Sequence, residues 1–433
     1  MKQPNRRDFL AASSAGIGIA AATALPTPAA AKLKSSLRSK AEHCIFIWLG
    51  GGMAQIDTFD PKRIGDAKKR VPGSYYPSIE TAVKGVRVCE HLKMTAQVMD
   101  RVAVVRTVNH DVIDEHAAAV NRMHTGRPTS GTIVYPSVGS VISHQRGPGG
   151  ENVPNYILMG YPNLTRGPGF LGAKHGYIYL LETKNGPAGL KPPPGVSTAR
   201  QSRREAMLRK VRESYLAKNR GDKAVQEYAK VAENAYQLAG PDFMNAFNLK
   251  EEPKSIREAY GGEFGQRCLL ARRLVQRGVR FIEIVQNQNF INGTGWDTHN
   301  QGQLKQHVLI QELDRGFATL IKDLENTKML DKTVICISSE FGRPATFDGG
   351  GGRGHQSRTF STVIAGGGLK LGQAIGETDE LSKTVVKNPV SVADWHATIY
   401  AAMDINPAKE LFDSNERPVP ITDGGKSIKQ LFG

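Results

Sequence analysis

Four clusters of residues in this chain combine the side chains that hold a divalent metal ion. They are Gly50-Gly51-Gly52 leading to Asp57, Trp296-Asp297-Thr298-His299, Ser339-Glu340-Phe341-Gly342-Arg343, and Arg353-Gly354-His355. Imidazole together with carboxylate suits zinc, manganese or iron, whereas an all-oxygen shell suits magnesium or calcium. The clusters therefore predict a bound divalent metal ion, and zinc, manganese, calcium and magnesium all stay open.

Five residues are the predicted metal ligands: Asp57, Asp297, His299, Glu340 and His355. Asp297 and His299 flank one threonine, a spacing that points both side chains to the same side of an extended segment. The alternative for His355 is a loop-stabilising hydrogen bond, and the alternative for Asp57 is an Asx turn. Glu340 directly follows an apolar run. If buried there, its carboxylate requires either a metal ion or a salt bridge with Arg343 or Arg353.

The segments that must position these residues alternate between strand and helix patterns. Apolar runs predict strands at Ala41–Leu49, Arg101–Val108, Asn155–Met159, Val279–Val285, Thr333–Ser338 and Phe360–Ala365. Helical patterns cover His91–Asp100, Asp114–Thr125, Tyr135–His144, Glu263–Gln276, Gln303–Asn326 and Val392–Met403. The alternation predicts an α/β fold in which helices sandwich a mainly parallel sheet. Such folds place their chemistry just beyond the carboxyl ends of the strands.

The length of 433 residues suits one large α/β domain with insertions or two smaller domains. We predict a single domain over residues 32–433 with a helical insertion at about 197–260. Arg, Lys, Glu and Ala dominate residues 197–239, which predicts two amphipathic helices on the domain surface. The stretch Gly160–Gly195 is rich in Gly and Pro and is predicted to be a surface loop.

The first 31 residues have the features of an export signal. Asn5-Arg6-Arg7-Asp8-Phe9-Leu10 matches the twin-arginine pattern, and an apolar stretch with small residues follows. We expect cleavage after Ala31 and delivery to the periplasm or beyond. The apolar stretch is too short and too weakly hydrophobic for a stable span, so no membrane anchor is expected after cleavage. An uncleaved anchor is the alternative.

The net charge of +16 indicates which partners the chain could bind, and the spacing of its four cysteines indicates whether they bind metal. Basic chains attract polyanions, but this chain has no zinc-finger, helix-turn-helix or RNA-binding signature. We therefore expect a solvated basic surface or an anionic substrate, and no nucleic acid. No two cysteines are spaced as CxxC, so buried free thiols are expected, with disulfide pairing as the alternative.

The order of the motifs resembles the alkaline phosphatase and sulfatase superfamily over nearly the whole mature chain. The matching stretches are IFIWLGGGMAQIDTFDPK, RTVNHDVIDEHAAAVNRMHTGRP, GWDTHNQGQLKQH, TVICISSEFGRP and GRGHQS. More narrowly, GGG…IDTFDPK, ARRLVQRGVRF, WDTH and SEFGR resemble a bacterial family of exported sulfatase-related proteins known only as a domain of unknown function. The resemblance implies an alkaline-phosphatase-like fold.

The departures from the superfamily pattern are also informative. His116 stands nine residues before Thr125, where a sulfatase carries its Cys or Ser nucleophile. Near a helix N-terminus it could be a metal ligand, a general acid, a nucleophile that accepts phosphate, or a helix cap. Glu340 and Phe341 stand where the superfamily has Asp and His. One carboxylate is thus kept and one nitrogen ligand is lost, which favours one metal ion over two.

The sequence therefore predicts an exported, metal-dependent hydrolase of sulfate or phosphate esters with a modified sulfatase-like site. His116 is expected to act as nucleophile or proton-transfer group, and Arg127 or Arg343 to neutralise developing charge. The expected partner is an anionic ester or polysaccharide. The alternative is a non-catalytic sulfatase-like protein that binds anionic polysaccharide or an envelope partner, because the usual nucleophile and one histidine are missing.

Overall fold

A nine-stranded sheet lies at the centre of the described part of the chain. The structure is a computed structural model that describes residues 41–150, 152–161, 165–183, 186–187, 195–222, 225–226, 229, 241–286 and 295–433. The predicted export signal lies outside these residues. Among the helices of the described ranges, none is long and apolar enough to cross a membrane.

The described elements are numbered in chain order. The strands are β1 His43–Trp48, β2 Ser78–Glu80, β3 Arg87–Cys89, β4 Val102–Asn109, β5 Tyr156–Met159, β6 Ile178–Leu180, β7 Phe281–Val285, β8 Thr333–Ser338, β9 Phe360–Gly366, β10 Gln373–Ile375, β11 Glu377–Thr378, β12 Val385–Lys387, β13 Val390–Ser391, β14 Glu410–Phe412 and β15 Pro418–Pro420. The α-helices are α1 Lys93–Gln97, α2 His116–Thr125, α3 Val138–Arg146, α4 Thr198–Lys218, α5 Pro241–Met244, α6 Lys254–Tyr260, α7 Glu263–Gln276, α8 Gln303–Asn326 and α9 Val392–Ala402. Short 3-10 helices occur at Gln55–Asp57, Met99–Arg101, Gly169–Leu171, Ala173–His175, Asn245–Phe247, Leu249–Glu251, Asn300–Gly302, Leu330–Lys332 and Lys429–Leu431.

The strand order of the central sheet is β10-β4-β9-β8-β1-β7-β5-β6, and β13 also pairs with β4. Strand β9 runs antiparallel to its neighbours β4 and β8, and the other pairs in this sheet are parallel. The parallel strands therefore end at one edge of the sheet, which we call the carboxyl edge. The chain enters β9 at this same edge. Three two-stranded sheets, β2–β3, β11–β12 and β14–β15, lie outside the central sheet.

Helices cover both faces of the sheet, as the alternation of patterns predicted. Successive residues of β1 point to opposite faces, so that Ile45 and Ile47 lie in one apolar cluster and Phe46 and Trp48 in the other. Helices α7 and α8 pack on the first cluster, and α2, α3 and α9 pack on the second. The α/β fold with a mainly parallel sheet is thus confirmed. The four cysteines are buried free thiols, as expected.

The boundaries of α7, α8 and β8 coincide with the predicted ones, whereas the stretch His91–Asp100 is not one helix. It forms only α1 and a 3-10 turn, with Val98 between them at φ −109° and ψ 15°. The amides of Met94 and Thr95 in the first turn of α1 donate to the carboxylate of Asp314 on α8. A tertiary contact therefore caps α1, and the local pattern does not contain that information. In the predicted insertion, α4 is helical, and most of the second predicted helix lies outside the described residues.

A buried carboxylate ties α2 to the central strand β7. Glu283 is fully buried, and one of its oxygens lies 3.0 Å from Nε2 of His124 on α2. Its other oxygen accepts hydrogen bonds from the hydroxyls of Tyr156 at 2.5 Å and Thr165 at 2.8 Å. Burial and the neighbouring carboxylate raise the pKa of Tyr156 well above its usual range, so this hydroxyl remains a donor. The network fixes the helix whose first residue is His116.

We expect Glu283→Ala to lower the free energy of unfolding by about 3 kcal/mol, because it leaves buried polar groups without a partner. Urea denaturation followed by circular dichroism measures the change. Glu377→Ala is the control, since Glu377 forms an exposed pair with Lys387 and its loss should change the denaturation midpoint little. Equal midpoints for Glu283→Ala and the unmodified protein would contradict the role assigned to this network.

Candidate metal centre

Side chains from four separate stretches of the chain converge at the carboxyl edge of the sheet. His116 is the first residue of α2, and Glu340 follows β8 directly. Asp297 and His299 come between β7 and α8, and His355 precedes β9. These are the sequence-predicted residues that the structure brings together, along with Arg343.

The side chains of His116, Asp297 and His355 each offer a ligand atom, and these atoms lie within 4.8 Å of one another. A tighter triangle forms when His299 takes the place of His116. Nε2 of His299 lies 3.0 Å from Nε2 of His355 and 3.1 Å from Oδ1 of Asp297, and the third side measures 3.3 Å. Ligand atoms in a tetrahedral zinc site are about 3.4 Å apart, given bond lengths of about 2.1 Å. Because its dimensions match, this triangle is the candidate metal site.

The protonation of His355 supports this assignment. Its Nδ1 lies 2.5 Å from a carboxylate oxygen of Asp114, which can only accept a hydrogen bond when ionised. Nδ1 therefore carries a proton, and the lone pair on Nε2 of the neutral ring is available to a cation between Asp297 and His299. A carboxylate that orients a histidine in this way is the usual support for a metal-bound imidazole.

Glu340 orients His116. One oxygen of Glu340 lies 2.9 Å from Nδ1 of His116 and accepts the amide of Gly51 at 2.7 Å. The backbone oxygen of Glu340 accepts a hydrogen bond from Nε2 of His110 at 2.6 Å. Nε2 of His116 is buried and has no hydrogen-bond partner among the described residues, although Oδ2 of Asp297 lies 3.5 Å away. Such an orphaned nitrogen fits a site whose ligand or substrate completes it.

The electrostatics of the cluster favour a charged pair. Burial lowers the pKa of His116, but the negative charges of Asp297 and Glu340 outweigh it and raise this pKa to about 9. For Asp297, burial favours the neutral form, yet His116, His355 and Arg343 together hold its pKa well below the usual range. His116 is therefore an imidazolium at neutral pH beside an ionised Asp297. Burial lowers the pKa of His299, which keeps that imidazole neutral and able to bind a metal ion.

Arg343 places a fixed positive charge beside the triangle. Its side chain is fully buried and contacts the carboxylate of Asp297 and the carbonyl oxygen of Gly51. Its Nε donates to the carbonyl of Gly52 at 3.0 Å, and its Nη1 lies 3.4 Å from Nε2 of His299. The guanidinium thus fixes Asp297 relative to the loop that follows β1.

Two predicted site residues lie elsewhere and are corrected here. The carboxylate of Asp57 pairs with Arg353 at 2.8 and 3.0 Å and accepts the amide of Tyr75 at 2.7 Å, so it neutralises a buried arginine. Arg127 follows the C-terminal end of α2, about 15 Å along the helix from His116. It donates to the carboxylate of Asp423 at 3.0 Å, an ion pair away from the cluster.

Asp114, which orients His355, was not among the predicted site residues. A local pattern in the sequence could have pointed to it. Asp114 and His116 repeat the D-x-H spacing of Asp297 and His299. The pairing itself is not between these neighbours, because Asp114 contacts His355, 241 residues away. Only the fold reveals that partner.

Residues 41–432 match the family model described as "Protein of unknown function (DUF1501)". This match spans most of the chain, so the chain belongs to the DUF1501 family, which confirms the narrower resemblance of the motifs. No curated protein matches the chain.

Several solved structures are similar to the described fold. One is a sulfatase from Pseudoalteromonas sp., with 10% identity over 85% of this chain and 68% of that chain and a TM-score of 0.36. A phosphonate monoester hydrolase from Silicibacter pomeroyi has 11% identity over 89% and 76% of the two chains and a TM-score of 0.37. A mutant of the TAB5 alkaline phosphatase with Mg bound has 9% identity over 85% and 99% and a TM-score of 0.38. At such TM-scores these likenesses say nothing about the chemistry of the present site.

We expect His355→Ala to lower the affinity for zinc at least about 100-fold, because it removes one corner of the triangle. Asp114→Asn should lower it about tenfold and leave the stoichiometry unchanged. Isothermal titration with zinc and manganese measures both effects. His307→Ala is the matched control, since His307 on α8 contacts Tyr76 and His91 and should not change the affinity. If His355→Ala bound zinc as tightly as the unmodified protein, His355 would not be a metal ligand and the candidate site would be wrong.

Asp57→Ala should destabilise the protein by about 3–5 kcal/mol, since it leaves the buried Arg353 uncompensated. The double variant Asp57→Ala/Arg353→Met should recover part of this loss, because it removes both charges. Urea denaturation gives the comparison, and zinc affinity of the folded double variant should fall only a few-fold, because the loop before His355 loses a support but all three ligands remain. A specific loss of zinc binding without loss of stability would return Asp57 to the ligand set.

Proposed function

We propose that this member of the DUF1501 family is an exported, metal-dependent hydrolase of sulfate or phosphate esters. The observation that carries the proposal is the triangle of Asp297, His299 and His355, with sides of 3.0 to 3.3 Å, next to the orphaned nitrogen of His116. It combines a set of metal ligands with a group that can transfer a proton. The proposed export rests on the twin-arginine leader.

A bound divalent cation supplies Lewis acidity, which withdraws charge from an ester oxygen and acidifies a water molecule. Asp297, His299 and His355 would hold this cation. An all-oxygen shell is not what these residues offer, so zinc and manganese fit them better than magnesium or calcium.

His116 is the proton-transfer group in this proposal. Glu340 fixes Nδ1, so the ring can exchange a proton with a substrate only through Nε2. With a pKa of about 9, His116 carries that proton at neutral pH and can give it to the departing oxygen of the ester. Water supplies the oxygen that joins sulfur or phosphorus, the ester bond breaks to release an alcohol, and the proton that water gives up returns to His116. No covalent intermediate is needed, which suits the absence of Cys or Ser from position 116.

Arg343 acts through its charge in this proposal. Its donors are engaged by Asp297, the carbonyls of Gly51 and Gly52, and the carbonyls of Arg353 and Gly354. It cannot give up these bonds to grip an ester without losing the position of Asp297. Its fixed charge beside the triangle lowers the energy of an anionic transition state.

Phe341 favours a single cation. Its fully buried ring lies 4.9 Å from the ring of His116 and 4.4 Å from that of His355, measured between centroids. An apolar side chain thus packs against both imidazoles, whose centroids lie 4.6 Å apart, and it restricts the orientation of both rings. A second cation would find no nitrogen ligand at this position.

We expect His116→Ala to lower kcat about 100-fold or more, because it removes the proton donor. Zinc affinity should change only a few-fold in this variant, since the triangle is intact. The assay uses aryl sulfates and aryl phosphates with the zinc- and manganese-loaded protein. His307→Ala is the control, because His307 on α8 contacts Tyr76 and His91 and lies outside the cluster.

The same assay tests the alternative, a non-catalytic binding protein for anionic polysaccharide. His116 in place of a Cys or Ser nucleophile and Phe341 in place of a histidine are the observations that favour it. Metal-loaded protein that turns over no aryl ester but binds a sulfated polysaccharide would support the alternative and contradict the hydrolase.

A further inference from the structure

Helix α4 exposes apolar side chains along one side. Met207, Leu208, Val211 and Tyr215 are 70%, 52%, 69% and 56% exposed. At about 100° per residue these four positions occupy one arc of about 100°. The half-buried residues lie on a different side of the helix, at Gln201, Glu205, Arg212 and Leu216. The four apolar side chains are therefore exposed and are not part of the core.

The same helix is strongly basic. Its 21 residues carry seven basic and two acidic side chains. The basic positions are Arg200, Arg203, Arg204, Arg209, Lys210, Arg212 and Lys218. Arg200, Arg204 and Lys218 lie on the side of the apolar arc, beyond its two ends, and all three are exposed. Long basic side chains can reach charged groups while their stems cover apolar surface.

The exposed apolar side chains and the basic charge together indicate which kind of partner binds the exposed side of α4. A second copy of α4 would bring two strongly positive helices together, which like charge opposes. An anionic polysaccharide would satisfy the arginines but offers no hydrocarbon in which Met207 and Val211 can be buried. An anionic phospholipid surface offers both, because its phosphates lie directly above its acyl chains.

We propose that α4 docks on a bilayer surface containing anionic phospholipid, lying in the plane of the membrane with the Met207–Tyr215 side towards the acyl chains. The protein would then be held at a membrane by a surface helix without a spanning segment. This binding does not depend on the metal centre or on any hydrolytic activity.

Vesicle co-sedimentation of the full chain tests the proposal. The probes are vesicles of phosphatidylglycerol and phosphatidylcholine in equal parts, and vesicles of phosphatidylcholine alone. Met207→Ser/Val211→Ser/Tyr215→Ser should lower partition into the anionic vesicles at least about tenfold, because it removes the apolar contact. Arg200→Gln/Arg204→Gln/Lys218→Gln should lower it about fivefold per charge. All variants carry the same N-terminus, so a difference between them arises from α4.

A matched control substitutes exposed apolar residues away from the helix. Val386 and Phe412 are 57% and 64% exposed, and Val386→Ser/Phe412→Ser should bind anionic vesicles as the unmodified protein does. Tyr215→Trp adds a direct readout that keeps an aromatic side chain. Its fluorescence emission should move to shorter wavelength with anionic vesicles and stay unchanged with phosphatidylcholine vesicles.

Three results would overturn the proposal. One is equal binding of the serine triple variant and the unmodified protein. Another is loss of binding only with the charge variant, together with displacement by dextran sulfate, which would indicate a site for a soluble polyanion. The third is concentration-dependent self-association in sedimentation velocity that the serine triple variant abolishes, which would indicate a second copy of the chain.

Discussion

The buried guanidinium of Arg343 is the contact on which the carboxyl edge of the sheet depends. It joins the loop after β1 to Asp297 and to the carbonyl oxygens of the segment that leads to His355. A buried charge is costly unless it is paired and its hydrogen bonds are made, and here both conditions are met. The arginine therefore helps to fix Asp297 and the segment before His355, and with them the spacing of the three candidate ligands.

A second buried arginine serves the same edge in a different way. Arg353 is fully buried between the carboxylate of Asp57 and the carbonyls of Gly73, Pro344 and Ala345. It anchors the loop two residues before His355. Two fully buried arginines thus connect the loops that carry Asp297 and His355 to the rest of the carboxyl edge.

The reversed strand β9 explains how a histidine from a loop reaches a site built at the ends of parallel strands. Asp297 and Glu340 arrive from the carboxyl ends of β7 and β8, which both lead towards this edge. His355 comes from the segment before β9, and because β9 is antiparallel, its beginning lies at the same edge. Had β9 been parallel, His355 would have lain at the far edge of the sheet, away from Asp297.

The sequence by itself determined the strongly periodic elements and the residue types of the site. The buried runs and amphipathic helices, such as Thr333–Ser338 and Gln303–Asn326, are local patterns, so the α/β class and the positions of Asp297, His299, Glu340 and His355 could be predicted from them. The tertiary structure alone decided the partners. Asp57 and Asp297 are both acidic residues in loops after a strand. No local feature of the sequence shows that Asp57 pairs with Arg353, or that His299 and His355 lie beside Asp297. The pairings of Asp114 with His355 and of Arg127 with Asp423, and the reversal of β9, are set by packing between residues far apart in the chain. Local periodicity does not encode these contacts, because it records which face of an element is buried and not what buries it.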